Sequence, residues 1–189
     1  RQGRRFSSRP LAGSARRGHD PDEDRRLADL LLSSEKDRIE HELVVGDIVR
    51  RLDPLTESMD VPPSPVIERF ATVQHLATPI TGTSNAGLFE LVEALHPTPA
   101  VGGTPTPDAL AFIDKIEGFD RGWYAGGIGW ADSSGNGEIS LGLRSALLQG
   151  GSARLYAGNG IVADSDPQAE LEETRLKLRP MLEMLTESY

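Results

Sequence analysis

The sequence of 189 residues is long enough for one substantial core, and its 38% hydrophobic and 26% charged residues are ordinary for a globular protein. It contains no cysteine, which excludes disulfides and thiolate metal sites and suits a reducing cytosol. The net charge is −9, and residues 27–189 alone carry −13, so phosphates would be repelled and a nucleic-acid partner is not expected. No apolar run approaches membrane-spanning length, so no membrane partner is expected either.

The first part of the chain predicts strands around one long helix. Residues 1–18 lack a clean periodicity and predict a strand end followed by a loop. Over 22–51 the pattern is helical, because apolar residues recur every three to four positions between charges. These apolar residues are Leu27, Leu31, Ile39, Leu43 and Val49. Four prolines in 52–65 predict a connecting loop. The β-branched residues of 66–83 then favour strands.

The second part predicts two helices, at 84–97 and 108–118, followed by a sheet. Gly-rich turns separate three strand-like segments, which indicates an antiparallel meander. The three segments are 121–132, 138–148 and 153–162. On the middle one, alternation would point Ile139, Leu141 and Leu143 inward and Arg144 to the polar face. A final helix is predicted over 169–185. With no internal repeat and no domain boundary, the chain is expected to form one α+β unit.

The final helix carries an unusual density of carboxylates, in "AELEETRLKL" at 169–178. On a helix Glu170, Glu173 and Lys177 share one face, whereas Glu172 points to solvent. Two carboxylates three residues apart repel each other unless a cation lies between them, and Mg²⁺ prefers such oxygen ligands. A solvated face balanced by Lys177 is the alternative, and spacing alone favours it. An apolar stripe adjoins this face, made of Leu171, Leu178 and Leu182.

A second pair of carboxylates with the same spacing lies in "SEKDRIEHELV" at 34–44, where Asp37 and Glu40 share a helix face with Val44. Charged helices are common, so this pair alone is weak evidence for a site. Two such pairs on separate helices could bind opposite sides of one cation. The sequence does not show that they meet.

Candidate anion-binding groups lie in the predicted sheet. In "YAGNGIV" (156–162), Gly158 and Gly160 are either turn residues or positions where backbone N–H groups can approach an anion. Arg144 could bind a carboxylate through its two-pronged guanidinium, although a surface arginine is the commoner explanation. His75 is, by the same reasoning, more often structural than catalytic.

Together these segments resemble the chorismate-utilising enzymes, which include isochorismate, salicylate, anthranilate and aminodeoxychorismate synthases. The matching stretches follow family order over nearly the whole chain: "RPLAGSARRG", "SEKDRIEHELV", "VQHLATP", "LHPTPAVGGTP", "FDRGWYAGGIGW", "LGLRSALL" and "LYAGNGIVADSDPQAELEETRLKL". The resemblance implies antiparallel β-sheets flanked by helices. It also implies that 1–189 is the C-terminal portion of a single chorismate-binding domain, whose N-terminal portion would precede Arg1.

The resemblance also implies roles for individual residues. Glu40, Glu170 and Glu173 match the Mg²⁺ ligands, with Asp37 in support, and the metal holds the carboxylate on the ring of chorismate. The residues that match substrate contacts are Gly13, Ser14, His75, Ala100, Tyr124, Leu143, Arg144, Gly158, Gly160 and Lys177. Asn159 departs from the small residue that relatives usually have at that position.

The loop around Ala100 indicates which member of the family the chain resembles. Amine-transferring relatives have threonine at the Ala100 position and lysine at the Thr106 position, so no glutamine amidotransferase partner is expected. The combined motifs are most similar to isochorismate synthases of menaquinone or siderophore biosynthesis, cytoplasmic Mg²⁺-dependent enzymes that convert chorismate to isochorismate. Another chorismate enzyme, forming salicylate or an aminated product, and a non-catalytic binding fragment are the alternatives.

The proton-transfer residues of the family are expected outside this chain. Its general-base lysine and general-acid glutamate would lie upstream of Arg1, so the sequence contains no predicted catalytic residue. The chain alone is therefore expected to be inactive, and its natural partner would be the upstream half of the same domain.

Overall fold

The computed structural model describes residues 1–186, which form two compact units. The first unit contains Arg1–Leu95 and Trp130–Glu138. The second contains His96–Gly129 and the chain from Ile139 onward. The last three residues of the predicted span 1–189 lie outside the described residues. That this span is part of a single domain stays a prediction.

The first unit contains two three-stranded antiparallel sheets and three helices. Its elements are β1 (Arg5–Ser8), β2 (Leu11–Arg16), α1 (Pro21–Ser33), α2 (Glu35–Leu52), a 3-10 turn (Asp53–Leu55), β3 (Ser58–Asp60), β4 (Val66–Arg69), β5 (Val73–Ala77), β6 (Ile80–Thr83) and α3 (Leu88–Leu95). One sheet has the order β1-β6-β3 and the other the order β2-β5-β4. Both sheets bring together strands that are distant in sequence.

The long helix predicted over 22–51 is two helices separated at Ser34. This residue has extended backbone angles, and its hydroxyl accepts a hydrogen bond from the Asp37 N–H at 3.3 Å, so it ends α1 and caps α2. Asp20 caps α1 through its carboxylate, which accepts from the N–H groups of Asp22 and Glu23. Apolar residues recur on both sides of Ser34, so periodicity alone predicts one continuous helix.

Of the apolar residues that indicated the second of these helices, Val49 packs against the core but two others do not. Ile39 and Leu43 are 52% and 71% exposed, whereas the buried residues of α2 are His41, Ile48 and Leu52. Because one of these buried residues is a histidine, a search for apolar residues does not identify the buried face of the helix. One cluster of the hydrophobic core of this unit consists of Phe6, Ile48, Leu52, Ile80 and Leu91.

Two predicted loops in the first unit contain strands. Within 1–18 the chain forms β1 and β2, and within 52–65 it forms the 3-10 turn and β3. Both β1 and β3 pair with β6, where Arg5 and Ser58 flank Thr83. Such short strands are stabilised by their non-local partner and not by their own sequence pattern. The strands predicted over 66–83 are confirmed as β4, β5 and β6.

The second unit is built from hairpins and helices. Its elements are α4 (Pro99–Gly102), α5 (Thr106–Glu117), β7 (Gly127–Ala131), β8 (Gly137–Leu141), β9 (Ser145–Gln149), β10 (Ser152–Tyr156) and α6 (Pro167–Thr186). The strands pair as two separate hairpins, β7 with β8 and β9 with β10. The turn end of the first hairpin, residues 130–138, is grouped with the first unit.

The predicted three-stranded meander was wrong, because its middle strand breaks after Leu141. The Gly142 N–H turns to the Gly126 carbonyl at 2.9 Å, and the Leu143 N–H donates to the carbonyl of Leu141. Arg144 follows with a positive φ of 48°, which ends the alternation of faces. Leu141 and Leu143 are consequently exposed, at 41% and 46%, and do not point inward as predicted.

The predicted helices of this unit are confirmed as α5 and α6. Gly118 ends α5 in the left-handed conformation, as expected for a C-terminal glycine. Within α6, however, no described residue is buried, and Leu171 and Leu182 are 44% and 52% exposed, so the predicted apolar stripe is uncovered there. Antiparallel sheets with adjoining helices confirm the predicted α+β class.

Candidate functional site

In the second unit, the glycine-containing segment after β10 lies against α6, and Lys177 forms the contact. Its ammonium donates to the Asn159 Oδ1 at 2.6 Å and to the Gly158 carbonyl at 3.3 Å, and it pairs with the Glu173 Oε1 at 2.8 Å. Lys177 is half-buried, whereas Glu173 is more exposed. The structure therefore brings Gly158, Glu173 and Lys177 together at one place.

Asn159 contributes a second link between the same two elements. Its Nδ2 donates to the Glu170 carbonyl at 2.7 Å while its Oδ1 accepts from Lys177. An asparagine amide can both donate and accept, which makes it suited to bridging a helix and a loop. The sequence predicts no role for Asn159, which is only a departure from the small residue expected there. The unusual polar side chain between two glycines was the signal that could have revealed it.

The two carboxylates of α6 predicted to bind a metal, Glu170 and Glu173, differ in their surroundings. The Glu170 Oε1 accepts from the Ser165 hydroxyl at 2.9 Å, and Glu173 is held by Lys177. Glu172 is exposed and accepts from Gln168 at 3.0 Å, as expected for the residue predicted to face solvent. The Lys177 ammonium thus pairs with Glu173 and not with the Glu170 carboxylate.

An aromatic wall adjoins the glycine segment. Tyr124 stacks on Tyr156 with ring centroids 5.4 Å apart, and the Arg121 guanidinium lies 5.7 Å from the Tyr124 ring centre. A Cβ at Gly158 would lie 2.9 Å from the Tyr124 hydroxyl, so only glycine permits this approach. Burial raises the pKa of Tyr124, which keeps it a neutral phenol able to donate a hydrogen bond.

Arg121, which the sequence analysis did not select, supports this wall. It donates from Nε to Glu117 at 2.7 Å and from a terminal nitrogen to the Val101 carbonyl at 3.2 Å. The hydrogen bond with Glu117 raises the pKa of Arg121 further. Arg121 thereby links α4, the end of α5 and the ring of Tyr124.

Four other residues predicted for the site lie outside this hydrogen-bonded cluster. Ala100 is exposed on α4, and Leu143 and Gly160 are exposed in loops. Arg144 is half-buried, and its guanidinium has no hydrogen bond or ion pair with any residue in 1–186. An arginine in this state retains its full capacity to bind an anion.

In the first unit, Gly13, Ser14 and His75 lie together across β2 and β5. Ser14 is directly opposite His75 in the sheet, and their Oγ and Nδ1 atoms are 2.8 Å apart. His75 is buried and also meets the Phe70 ring edge-on at 5.6 Å. Gly13 adopts a positive φ of 74° at an irregularity in β2.

Asp37 and Glu40 belong to α2 in the same unit. A Cβ at Gly13 would lie 3.1 Å from the Asp37 Cβ, so the strand and the helix approach closely here. The Asp37 carboxylate accepts from the Ser34 hydroxyl, and Glu40 is exposed. Next to Glu40, the buried His41 contacts the Thr78 hydroxyl through Nε2 at 2.8 Å, and burial lowers its pKa. The sequence analysis had not selected His41.

A magnesium site remains a prediction for this chain. Over residues 1–186, no three acidic or histidine side chains form a group that could hold a metal ion. The donor chemistry nevertheless fits Mg²⁺, because the candidate ligands are all carboxylates and the Glu170 carboxylate is oriented by the Ser165 hydroxyl.

A charged cleft near the start of α1 was also missed. Asp24 accepts from the Arg17 Nε at 2.7 Å, from the Gly18 N–H at 2.9 Å and from the Arg69 Nε at 3.2 Å. These bonds, led by Arg17, hold the pKa of Asp24 far below its usual range. Because the cations already have partners, this cleft is best explained as a structural link between α1 and β4.

The fold and these segments define a chorismate-binding enzyme. The family model described as "Chorismate binding enzyme" matches residues 1–186, and the chain belongs to that family. It shares 46% identity over 187 residues with the isochorismate synthase MenF of Bacillus subtilis, covering 98% of this chain and 40% of that protein. With the salicylate biosynthesis isochorismate synthase of Pseudomonas aeruginosa it shares 51% over 178 residues, covering 93% and 37%.

The fold is confirmed by a solved structure. MenF, the menaquinone-specific isochorismate synthase of Escherichia coli, superposes with a TM-score of 0.90 at 36% identity, over 98% of this chain and 43% of that one. The chain thus spans less than half the length of these three relatives. None of the helices described in 1–186 has the length and apolar character needed to cross a membrane.

Proposed function

We propose that this chain forms the substrate-gripping part of an isochorismate synthase, which converts chorismate to isochorismate with Mg²⁺ in menaquinone or siderophore biosynthesis. The observation that carries the proposal is the cluster of Gly158, Lys177 and Tyr124 in the second unit. It places a cation, a glycine backbone and a phenol at one surface. The names of the relatives, all isochorismate synthases, supply the substrate class.

The cations of the second unit would bind the carboxylates of chorismate. Arg144 is available for this role because its guanidinium has no partner among the described residues. Lys177 would provide a second positive charge, held beside the Gly158 carbonyl. Such local cations are required because the chain as a whole is acidic and would otherwise repel a dianion. Tyr124 would donate from its neutral hydroxyl.

Mg²⁺ would be held by Glu40, Glu170 and Glu173, with Asp37 in support. When bound, the ion would offset the charge of the ring carboxylate and orient it. The chain's own side chains would then fix the ring while water attacks C2 and the C4 hydroxyl leaves.

Proton transfer is assigned to residues beyond this chain. The resemblance expects a lysine base and a glutamate acid in the upstream half of the domain, and no lysine precedes Lys36 here. We therefore propose that the 189-residue chain is inactive alone, that its partner is that upstream half, and that the assembled enzyme is cytoplasmic and needs no glutamine amidotransferase.

The test is to purify the chain alone and together with the upstream half of a close relative, and to follow chorismate by chromatography with and without ammonia. Isochorismate formed only by the assembled halves, in either condition, supports the proposal. Salicylate or an aminated product would favour another chorismate enzyme. Isochorismate formed by the chain alone would overturn the assignment of the proton-transfer residues.

A further inference from the structure

Lys177 has an acceptor for each of its three protons before any ligand is present. The acceptors are the Asn159 Oδ1 at 2.6 Å, the Glu173 Oε1 at 2.8 Å and the Gly158 carbonyl at 3.3 Å. A lysine side chain is long and flexible, and a single surface ion pair holds it weakly. The additional contacts from the 158–159 segment therefore decide where this ammonium lies.

Of these acceptors, the amide of Asn159 is fixed in place. Its Nδ2 is bonded to the Glu170 carbonyl at 2.7 Å, so its Oδ1 is presented to Lys177 in one orientation. Asn159 is half-buried, whereas Glu173 is exposed and can rotate away into water. The hydrogen bond from a charged donor to Asn159 is also the shortest of the three.

We propose that Asn159 is a positioning residue for Lys177, which locks the ammonium beside the Gly158 carbonyl and the start of α6. This inference rests on the proposed function in one respect, which is that Lys177 binds a carboxylate of the substrate. An incoming carboxylate would meet an ammonium that is already placed and would replace one of its acceptors.

The experiment measures how fast each lysine reacts in the complete 189-residue chain. The sequence contains only Lys36, Lys115 and Lys177, and the first two are exposed, so they serve as internal references. Reductive methylation with ¹³C-formaldehyde at low conversion is followed at each site by NMR or peptide mass spectrometry. Asn159→Ala is expected to raise the rate at Lys177 about tenfold, the effect of losing one hydrogen bond to a charged group. Lys36 and Lys115 should not change.

Asn159→Asp separates the lock from a merely structural role. Aspartate cannot donate to the Glu170 carbonyl, but its charged carboxylate is a stronger acceptor for Lys177 than the amide, so Lys177 should stay as slow as in the original chain. Gln168→Ala is the matched control, since it removes an exposed hydrogen bond to Glu172 elsewhere on α6. If Asn159→Ala perturbs the second unit, seen as a change at Lys115, Asn159→Ser provides a milder truncation with the same expectation.

An unchanged Lys177 rate in Asn159→Ala, or an equal rise in Asn159→Asp, would overturn the positioning role. This readout needs no substrate. A protein in which Asn159→Ala exposes Lys177, but whose assembled form leaves chorismate unchanged, would refute the proposed function and support the positioning role.

Discussion

Gly13→Ala tests the close approach of β2 and α2 in the first unit. Gly13 has a φ of 74°, and a left-handed conformation costs a residue with a Cβ about 1–2 kcal/mol. The new Cβ would also lie 3.1 Å from the Asp37 Cβ and 3.3 Å from the Leu76 Cδ1. Leu76 is fully buried, so this overlap should add about 1–3 kcal/mol.

Gly3→Ala is the matched control. Gly3 also has a positive φ, of 58°, but a Cβ there would meet nothing within 4 Å. Urea unfolding followed by circular dichroism would give the free energy of unfolding of each variant. We expect Gly13→Ala to lose about 1–3 kcal/mol more than Gly3→Ala, because the backbone strain is common to both and the overlap is not. Equal losses would refute the close contact between Gly13 and Asp37.

Three further predictions concern the remaining site residues. Gly158→Ala should destabilise the chain by about 1–3 kcal/mol, because its Cβ would meet the Tyr124 hydroxyl at 2.9 Å, whereas Gly160→Ala, with open space, should be close to neutral in the same urea assay. In the assembled enzyme, Glu173→Gln should abolish Mg²⁺-dependent turnover and Glu172→Gln should not; an unchanged Mg²⁺ dependence in Glu173→Gln would contradict the ligand assignment. Burial lowers the pKa of His41, so the unfolded chain binds a proton more readily and the free energy of unfolding should fall as pH drops below about 6.5. His41→Gln should flatten that slope while the exposed His19→Gln should not, and identical pH profiles for both variants would exclude His41 as the cause.

Sequence patterns predicted the elements whose stability is local. The helices α5 and α6 were predicted from helical patterns and the strands of 66–83 from their β-branched residues, and all are confirmed. Errors arose where a distant partner decides the structure. The short strand β3 exists because β6 lies beside it, and the middle strand of the expected meander ends because Gly142 bonds to Gly126.

The site residues could be predicted, or not, for the same physical reason. The spacing of Glu170, Glu173 and Lys177 was sufficient to place them on one helix face, and the structure pairs the last two at 2.8 Å. The roles of Asn159 and Arg121 could not be read from spacing, because their partners lie on other elements. The roles of the amide and the guanidinium follow only from the tertiary structure, which brings those partners within hydrogen-bonding distance.

The sequence by itself determined the family, the α+β class and the residue types that could grip an anionic, metal-bound substrate. These follow from local chemistry and from the order of motifs along the chain. Only the tertiary structure decided which face of α2 is buried, where the sheet breaks, and that Asn159 holds Lys177 against Gly158. The physical reason is that burial and hydrogen bonding depend on groups far apart in sequence, and a periodic pattern records only neighbours.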